Sequence, residues 1–140
     1  MVLWLLAALF LLRVLGQALV ATAGPTWLPP MAAWQSGLLP YPVLLVAQVA
    51  ILVLQAWIAL DVTRGRGRFA RRCPPVGRAL RWISYGYAGA MAGRYVLTVA
   101  LRPERRWLGG TIPIVFHWVL AAYLFTLGRY HEDRAEEVLR

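Results

Sequence analysis

The chain of 140 residues is 60% hydrophobic and 15% charged, with a mean hydropathy of +0.57. A soluble domain is usually nearer half apolar and about a quarter charged, so this composition argues against one. The apolar excess lies in four blocks of about 20 residues, the length that crosses the hydrocarbon core of a bilayer. The sequence therefore predicts one domain over residues 1–140, an all-α integral membrane protein with four transmembrane helices in an up-down bundle.

The first transmembrane helix is predicted over residues 2–22. Its end, "ALVATAG", has the small-x-small pattern of a signal-peptide cleavage site, but no basic segment precedes the apolar run and Arg13 interrupts it. These features favour a helix that spans the membrane and is not removed as a signal peptide. The alternative is a helix that lies in the membrane interface. The following loop, residues 23–42, is uncharged and rich in Pro, Trp and Tyr. Because proline prevents a regular helix and these aromatic residues prefer the headgroup level, the loop is predicted to cap the outer side of the bundle.

The second transmembrane helix is predicted over residues 43–62, and a strongly basic loop follows over residues 63–81. The loop holds seven arginines, which are Arg64, Arg66, Arg68, Arg71, Arg72, Arg78 and Arg81. By the positive-inside rule this loop is cytoplasmic, the uncharged loop is outside, and both termini are cytoplasmic. Because the arginines cluster beside apolar spans, the net charge of +9 indicates anionic lipid headgroups as the partner of Arg64–Arg81, and no nucleic acid.

The third transmembrane helix is predicted over residues 82–101 and the fourth over 111–130, with an outer loop at 102–110 and a cytoplasmic tail at 131–140. The outer loop carries three arginines, a mild departure from the positive-inside rule that the larger basic loop outweighs. In the third helix, glycines form one edge, and small residues of this kind let transmembrane helices approach closely. The predicted helix-packing residues are Gly86, Gly89 and Gly93.

The choice of basic residues indicates the kind of genome that encodes the chain, and the cysteine content limits its chemistry. All 15 basic residues are arginine, and lysine and asparagine are absent. Both missing residues have A-rich codons, so we expect a high-GC, prokaryotic genome and a multi-pass protein of the cell inner membrane. Cys73 is the only cysteine, which excludes an internal disulfide and any chemistry that needs paired thiols within the chain.

Strongly polar residues inside the predicted spans mark the candidate site, because burying them in a bilayer is costly. At about 1.5 Å per residue, most of these side chains lie roughly 8–14 Å below the outer surface, so that four helices contribute to one polar layer. Arg13 and Gln17 form an i,i+4 pair on one stripe of the first helix. The predicted ligand-binding residues are Arg13, Gln17, Gln48, Arg94 and His117.

Each of these residues also has a structural explanation. A glutamine in a membrane helix commonly forms a packing hydrogen bond with a neighbouring helix, and a lone histidine such as His117 is often a satisfied structural group. Arg13 can extend its long side chain toward an interface. Arg94 is the hardest to explain in this way, because a buried arginine costs about 2.5–3.5 kcal/mol on insertion scales.

A cavity that holds Arg13, Arg94 and His117 would carry two permanent positive charges and no carboxylate. It would suit an anion, a lipid phosphate, a quinone carbonyl or an acidic residue of another protein. The chain lacks the central membrane acid of proton-coupled exporters, the paired cysteines of thiol-redox enzymes and a zinc ligand set. His117 and His131 lie about 21 Å apart along one helix, too far to hold one haem. No metal and no cofactor is therefore predicted, with a bound lipid or quinone as the alternative.

Two functions remain open. The first is a small non-catalytic accessory or structural subunit of a larger membrane complex, with other membrane subunits or a second copy of the chain as partners. The second is a protein that binds, transports or processes a lipid, quinone or anion in a cavity of the outer half of the membrane. That cavity would be formed by Arg13, Gln48, Arg94 and His117. These features favour a protein that is not an enzyme over one that is. If there is catalysis, His117 is expected to transfer the proton and Arg94 to stabilise charge.

Overall fold

The computed structural model describes residues 1–34, 39–101 and 111–133. These residues form helices, turns and bends and no strand, which confirms the predicted all-α class. The helices are α1 (Val2–Ala23), α2 (Met31–Trp34), α3 (Tyr41–Arg64), α4 (Pro74–Leu101) and α5 (Thr111–Glu132). Each of the four predicted spans lies within one of the long helices. The predicted loop 102–110 and the tail from residue 134 onward lie outside the described residues.

Three of the helices are long and apolar enough to cross a membrane, which indicates a membrane protein. They are Val2–Ala23, Tyr41–Arg64 and, within α5, Ile112–Glu132. The remaining long helix, α4, has 28 residues, but arginines, tyrosines and glycines interrupt its apolar sequence. The third predicted span, residues 82–101, is therefore helical but less apolar than the other three.

Proline and glycine set several of the helix boundaries. Pro74 and Pro75 occupy the first turn of α4, where a missing N–H costs no helical hydrogen bond. This helix therefore starts well before its predicted first residue, and the predicted cytoplasmic loop 63–81 is helical at both ends. The helices α1 and α3 end at Gly24 and Gly65, whose φ values of 53° and 63° lie in the left-handed region that favours glycine.

A hydrophobic core forms where α1, α3 and α5 meet. Its buried members are Leu3, Ala7, Ile58, Ala59, Tyr123 and Leu127. The hydroxyl of Tyr123 also donates a 2.7 Å hydrogen bond to the backbone carbonyl of Gln55, which fixes α5 against α3. The helix α4 packs against α5, and its backbone makes no comparable approach to any other helix among the described residues. The three most apolar helices thus share a core, and α4 joins them mainly through α5.

The helices α4 and α5 approach each other most closely near the loop that joins α3 to α4, which we call the arginine-loop end of the molecule. A Cβ added to Gly77 would lie 2.7 Å from the carbonyl oxygen of Gly128, and one added to Gly128 would lie 2.9 Å from that of Gly77. Beside this crossing, Arg81 donates a 2.5 Å hydrogen bond to the Glu132 carboxylate, and this bond raises the pKa of Arg81. Glycine at both positions therefore permits the close packing of the two helices. The opposite end, where α2 lies, is the α2 end.

The three glycines of α4 that were predicted to pack against another helix lie on a different face from this crossing. Gly86, Gly89 and Gly93 are exposed, and a Cβ added to any of them would meet no atom within 4 Å. The close helix approach therefore lies elsewhere than predicted, because α4 turns the face that holds the buried Gly77 and Ser84 toward α5. Within the described chain, the predicted glycine edge is open.

The loop between α3 and α4, residues 65–73, folds back over the helix ends. The backbone N–H of Phe69 donates a 3.2 Å hydrogen bond to the Asp61 carboxylate, and that of Cys73 donates a 3.3 Å hydrogen bond to His131 Nδ1. The exposed arginines of this region are Arg64, Arg66, Arg68, Arg71 and Arg72. The backbone of the loop is thus held on the protein while its arginines stay exposed; among them, Arg72 also lies over the Tyr130 ring, with its guanidinium carbon 4.7 Å from the ring centre.

Candidate functional site

A cavity of about 110 Å³ lies between α1, α3 and α5, toward the α2 end. Its walls are Phe10, Arg13, Leu44, Ala47, Gln48, Ile51, Pro113, Phe116, His117 and Leu120. Three of the five predicted ligand-binding residues are among them, and each comes from a different helix. The structure thus brings Arg13, Gln48 and His117 to one cavity.

Arg13 is the buried charge of this cavity, with 7% of the residue exposed. Its Nη2 donates a 3.2 Å hydrogen bond to the backbone carbonyl of Trp34, and its guanidinium carbon lies 5.6 Å from the centre of the Phe116 ring. The second contact is a cation–π interaction. The Nε of Arg13 has no hydrogen-bond partner among the described residues. Of the five N–H groups of Arg13, one is thus used by the Trp34 carbonyl, the one on Nε has no partner in the described chain, and both of these contacts are with neutral groups.

The short helix α2 supplies the carbonyl that holds Arg13. Trp34 is 8% exposed, and its indole N–H donates a 3.0 Å hydrogen bond to the carbonyl of Pro29. A Cβ added to Gly16 would lie 2.8 Å from the Trp34 ring, so the indole packs directly on α1. The packing of one tryptophan on one glycine thus fixes α2 against α1 and places its last carbonyl beside the guanidinium.

Two glutamines join α1 to α3 beside the cavity. Gln48 Nε2 donates a 2.9 Å hydrogen bond to Gln17 Oε1; Gln17 is fully buried and Gln48 is 3% exposed. The Oε1 of Gln48 and the Nε2 of Gln17 have no partner in the described part of the chain. Gln48 therefore presents an acceptor, and it presents a donor instead when both amides are turned together, which keeps a hydrogen bond between them. The pair therefore packs two helices and leaves one polar atom for a ligand.

His117 connects the cavity to α4. Tyr87 Oη and His117 Nδ1 lie 2.5 Å apart, and the two rings meet edge to face with centroids 5.6 Å apart. When the tyrosine hydroxyl donates this bond, the imidazole proton is on Nε2, and that N–H remains for a ligand. The sequence pattern does not single out Tyr87, although Tyr87 shares a helical stripe with Arg94.

Arg94 is not part of the cavity wall. It is partly exposed on α4, and its backbone carbonyl accepts a 2.8 Å hydrogen bond from the Thr98 hydroxyl. Because α4 reaches the other helices mainly through α5, a side chain of α4 does not share the space between α1 and α3. Of the five predicted residues, three therefore line the cavity. Gln17 is hydrogen-bonded to one of these three, and Arg94 lies outside the cavity.

The fold defines a class, an all-helical protein with three helices that are apolar enough to cross a membrane. No protein-family model, curated protein or solved structure matches this chain. In the ranges that the structure describes, no three His, Cys, Asp or Glu side chains come together as a metal site would require. The function is therefore inferred from the cavity and its polar groups.

Proposed function

We propose that the chain is a multi-pass protein of the cell inner membrane that binds a lipid or quinone through an anionic or carbonyl head in the cavity of Arg13, Gln48 and His117. The observation that supports this proposal most strongly is the buried guanidinium of Arg13. Buried arginines in membrane segments are rare and almost always face a partner or a cavity. Here the guanidinium lies on a cavity wall, and its Nε has no partner among the described residues.

The proposed topology puts the cavity in the outer half of the membrane. The uncharged segment 23–42 is outside, while the arginine loop and both termini are in the cytoplasm, where the exposed arginines contact anionic headgroups. The helices α1, α3 and α5 cross the bilayer, and α4 crosses as the fourth span with α5 covering one of its sides. A ligand of the cavity would then come from the outer leaflet.

The proposal is tested by purifying the chain in an uncharged detergent and identifying any bound molecule by native mass spectrometry. We expect one lipid or quinone per chain, with retention at least about tenfold lower in Arg13→Gln, because this change removes the charge and the donor fork. Arg78→Gln removes an exposed arginine at the opposite end and is the matched control, which should keep the ligand. A correctly folded wild-type chain that retains no small molecule would contradict the proposal.

The exposed glycine edge of α4 favours a second candidate, a non-catalytic accessory subunit of a larger membrane complex. Gly86, Gly89 and Gly93 leave room for another transmembrane helix to approach closely. Gly89→Leu would fill this room and should release a stoichiometric protein partner during gentle purification, while Arg13→Gln should not. Recovery of the wild-type chain without any protein partner would count against this candidate.

A further inference from the structure

Among the described residues the backbones of α3 and α5 do not come into contact, so the gap between these two helices is the side on which the cavity can open. At the arginine-loop end these two helices are joined by the hydrogen bond from Tyr123 to the Gln55 carbonyl. Toward the α2 end the cavity lies between them, and two of its wall residues on α3, Ala47 and Ile51, are exposed at the surface of that helix. The buried Arg13 on α1 stands at the back. Since α3 and α5 are both apolar enough to cross a membrane, a ligand in the proposed topology reaches Arg13 from the hydrocarbon of the bilayer.

The volume of the cavity limits the part of a ligand that enters it. Its volume of about 110 Å³ is smaller than the roughly 150 Å³ of a cavity that holds benzene, and well below the roughly 300–1,000 Å³ of pockets for drug-sized molecules. There is room for a small polar group and a few methylenes, and no room for a glycerol phosphate with its substituents. The rest of a lipid would pass through the side opening, along the apolar wall residues Leu44, Ile51 and Leu120.

The polar groups at the cavity match a small anion. Arg13 keeps the N–H donor on Nε without a hydrogen-bond partner in the described chain, and Gln48 presents a donor when the amides of Gln48 and Gln17 are both turned; Arg13 and Gln48 are more than nine-tenths buried. The carboxylates of the described residues are engaged elsewhere: Glu132 with Arg81, Asp133 with Arg129, and Asp61 with the N–H of Phe69. A carboxylate has two coplanar oxygens, the arrangement that an arginine fork binds best. When the Tyr87 hydroxyl donates to Nδ1 of His117, the Nε2–H of this wall residue is a further donor.

We infer that the cavity binds the carboxylate of a single-chain acyl amphiphile, a fatty acid whose hydrocarbon chain lies along α3 and α5 in the bilayer. This inference rests on the proposed function and narrows its ligand. A neutral quinone carbonyl would leave the charge of Arg13 uncompensated. A phosphodiester headgroup would exceed the volume of the cavity.

The direct test adds palmitate, labelled with carbon-13 at its carboxyl group, to the chain in phosphatidylcholine nanodiscs. We expect a carboxyl resonance distinct from that of palmitate dissolved in the bilayer, saturating at one molecule per chain. In Arg13→Gln the affinity should fall at least about tenfold. Arg13→Lys keeps the charge without the planar fork and should lose less, and Arg78→Gln should lose nothing. Equal affinity in wild type and a folded Arg13→Gln would overturn the inference.

Competition tests the same inference without any substitution, so it holds even if Arg13→Gln fails to fold. An excess of hexadecanol, which has the same chain and no charge, should not displace palmitate from the wild type; displacement would overturn the inference. If the wild type binds decylbenzoquinone or phosphatidic acid and not palmitate, the fatty-acid inference fails and the proposed function stands. If none of the three probes binds, both fail.

Discussion

Gln48 on α3 and Gln17 on α1 are joined by a 2.9 Å hydrogen bond between two side chains that are almost completely buried. Gln48 also lines the cavity, and Arg13 lies one helical turn before Gln17 on the same stripe of α1. One stripe of α1 therefore binds a neighbouring helix and presents the charge of the site. The bond joins α3 to the helix that carries the guanidinium, while the Trp34 carbonyl holds the guanidinium itself.

Removing one amide of this pair should destabilise the chain more than removing both. Gln17→Leu leaves Gln48 buried without its partner, and a buried polar group without a hydrogen bond costs about 1–3 kcal/mol. The double variant Gln17→Leu/Gln48→Leu removes both groups and should recover part of that loss. Thermal unfolding in micelles, followed by circular dichroism, gives the coupling energy through a double-mutant cycle. Strictly additive losses would contradict a direct bond.

A methyl group at the α4–α5 crossing should destabilise the chain. Gly77→Ala and Gly128→Ala place the new carbon 2.7 or 2.9 Å from a backbone oxygen, and overpacking of this kind costs about 1–3 kcal/mol. Gly89→Ala adds the same methyl to the same helix as Gly77, in open space, and should be neutral or stabilise by up to about 1 kcal/mol through helix propensity. Thermal unfolding would rank the three variants, and equal losses would rule out the clash as the cause.

Tyr87→Phe should relax the tautomer of His117. The hydroxyl lies 2.5 Å from Nδ1, and as a donor it holds the imidazole proton on Nε2. Nitrogen-15 NMR of histidine-labelled chain distinguishes protonated from unprotonated ring nitrogens. His131, which accepts a hydrogen bond from the Cys73 N–H at its own Nδ1, is the internal control and should keep its signals. A wild-type His117 that already carries its proton on Nδ1 would refute this arrangement.

The exposed thiol of Cys73 reports the side of the membrane on which the arginine loop lies. A membrane-impermeant maleimide should leave Cys73 unlabelled in intact cells and label it in inverted vesicles, because the proposed topology puts this loop in the cytoplasm. In the variant Cys73→Ser/Trp27→Cys, the thiol moves to a position near α2 where the native side chain is 74% exposed. That variant should show the reverse pattern. Labelling of both positions from the same side would contradict the topology.

The sequence predicts the depth of the polar groups along their helices better than it predicts which neighbouring helix each group faces. Arg13, Gln48 and His117 lie at similar distances from the ends of their helices, and helix geometry alone brings them to one level. All three line the cavity. Whether they bind a ligand there stays a prediction. The backbone carbonyl of Trp34, which holds Arg13, carries no sequence signal, because every residue has such a carbonyl.

The rotation of α4 is the part that the sequence did not predict. A seam of small residues such as Gly86, Gly89 and Gly93 fits a helix contact on either side of α4, and the pattern does not say which side another helix occupies. The real crossing uses Gly77, which the predicted boundaries placed in the basic loop 63–81, ahead of the apolar span; two prolines precede it. Prolines are compatible with a first helical turn, so they mark a start as readily as an end.

The dependence of α4 on α5 has a consequence for biogenesis. In the proposed topology, α4 leaves the ribosome before α5, and it is the least apolar of the four long helices. Its three arginines would meet the bilayer before the helix that packs against it exists. We therefore expect the two helices to enter the membrane together as a hairpin, with α4 waiting at the surface until α5 follows. A substitution at Gly128 would then lower the number of chains that insert, in addition to weakening those that have inserted.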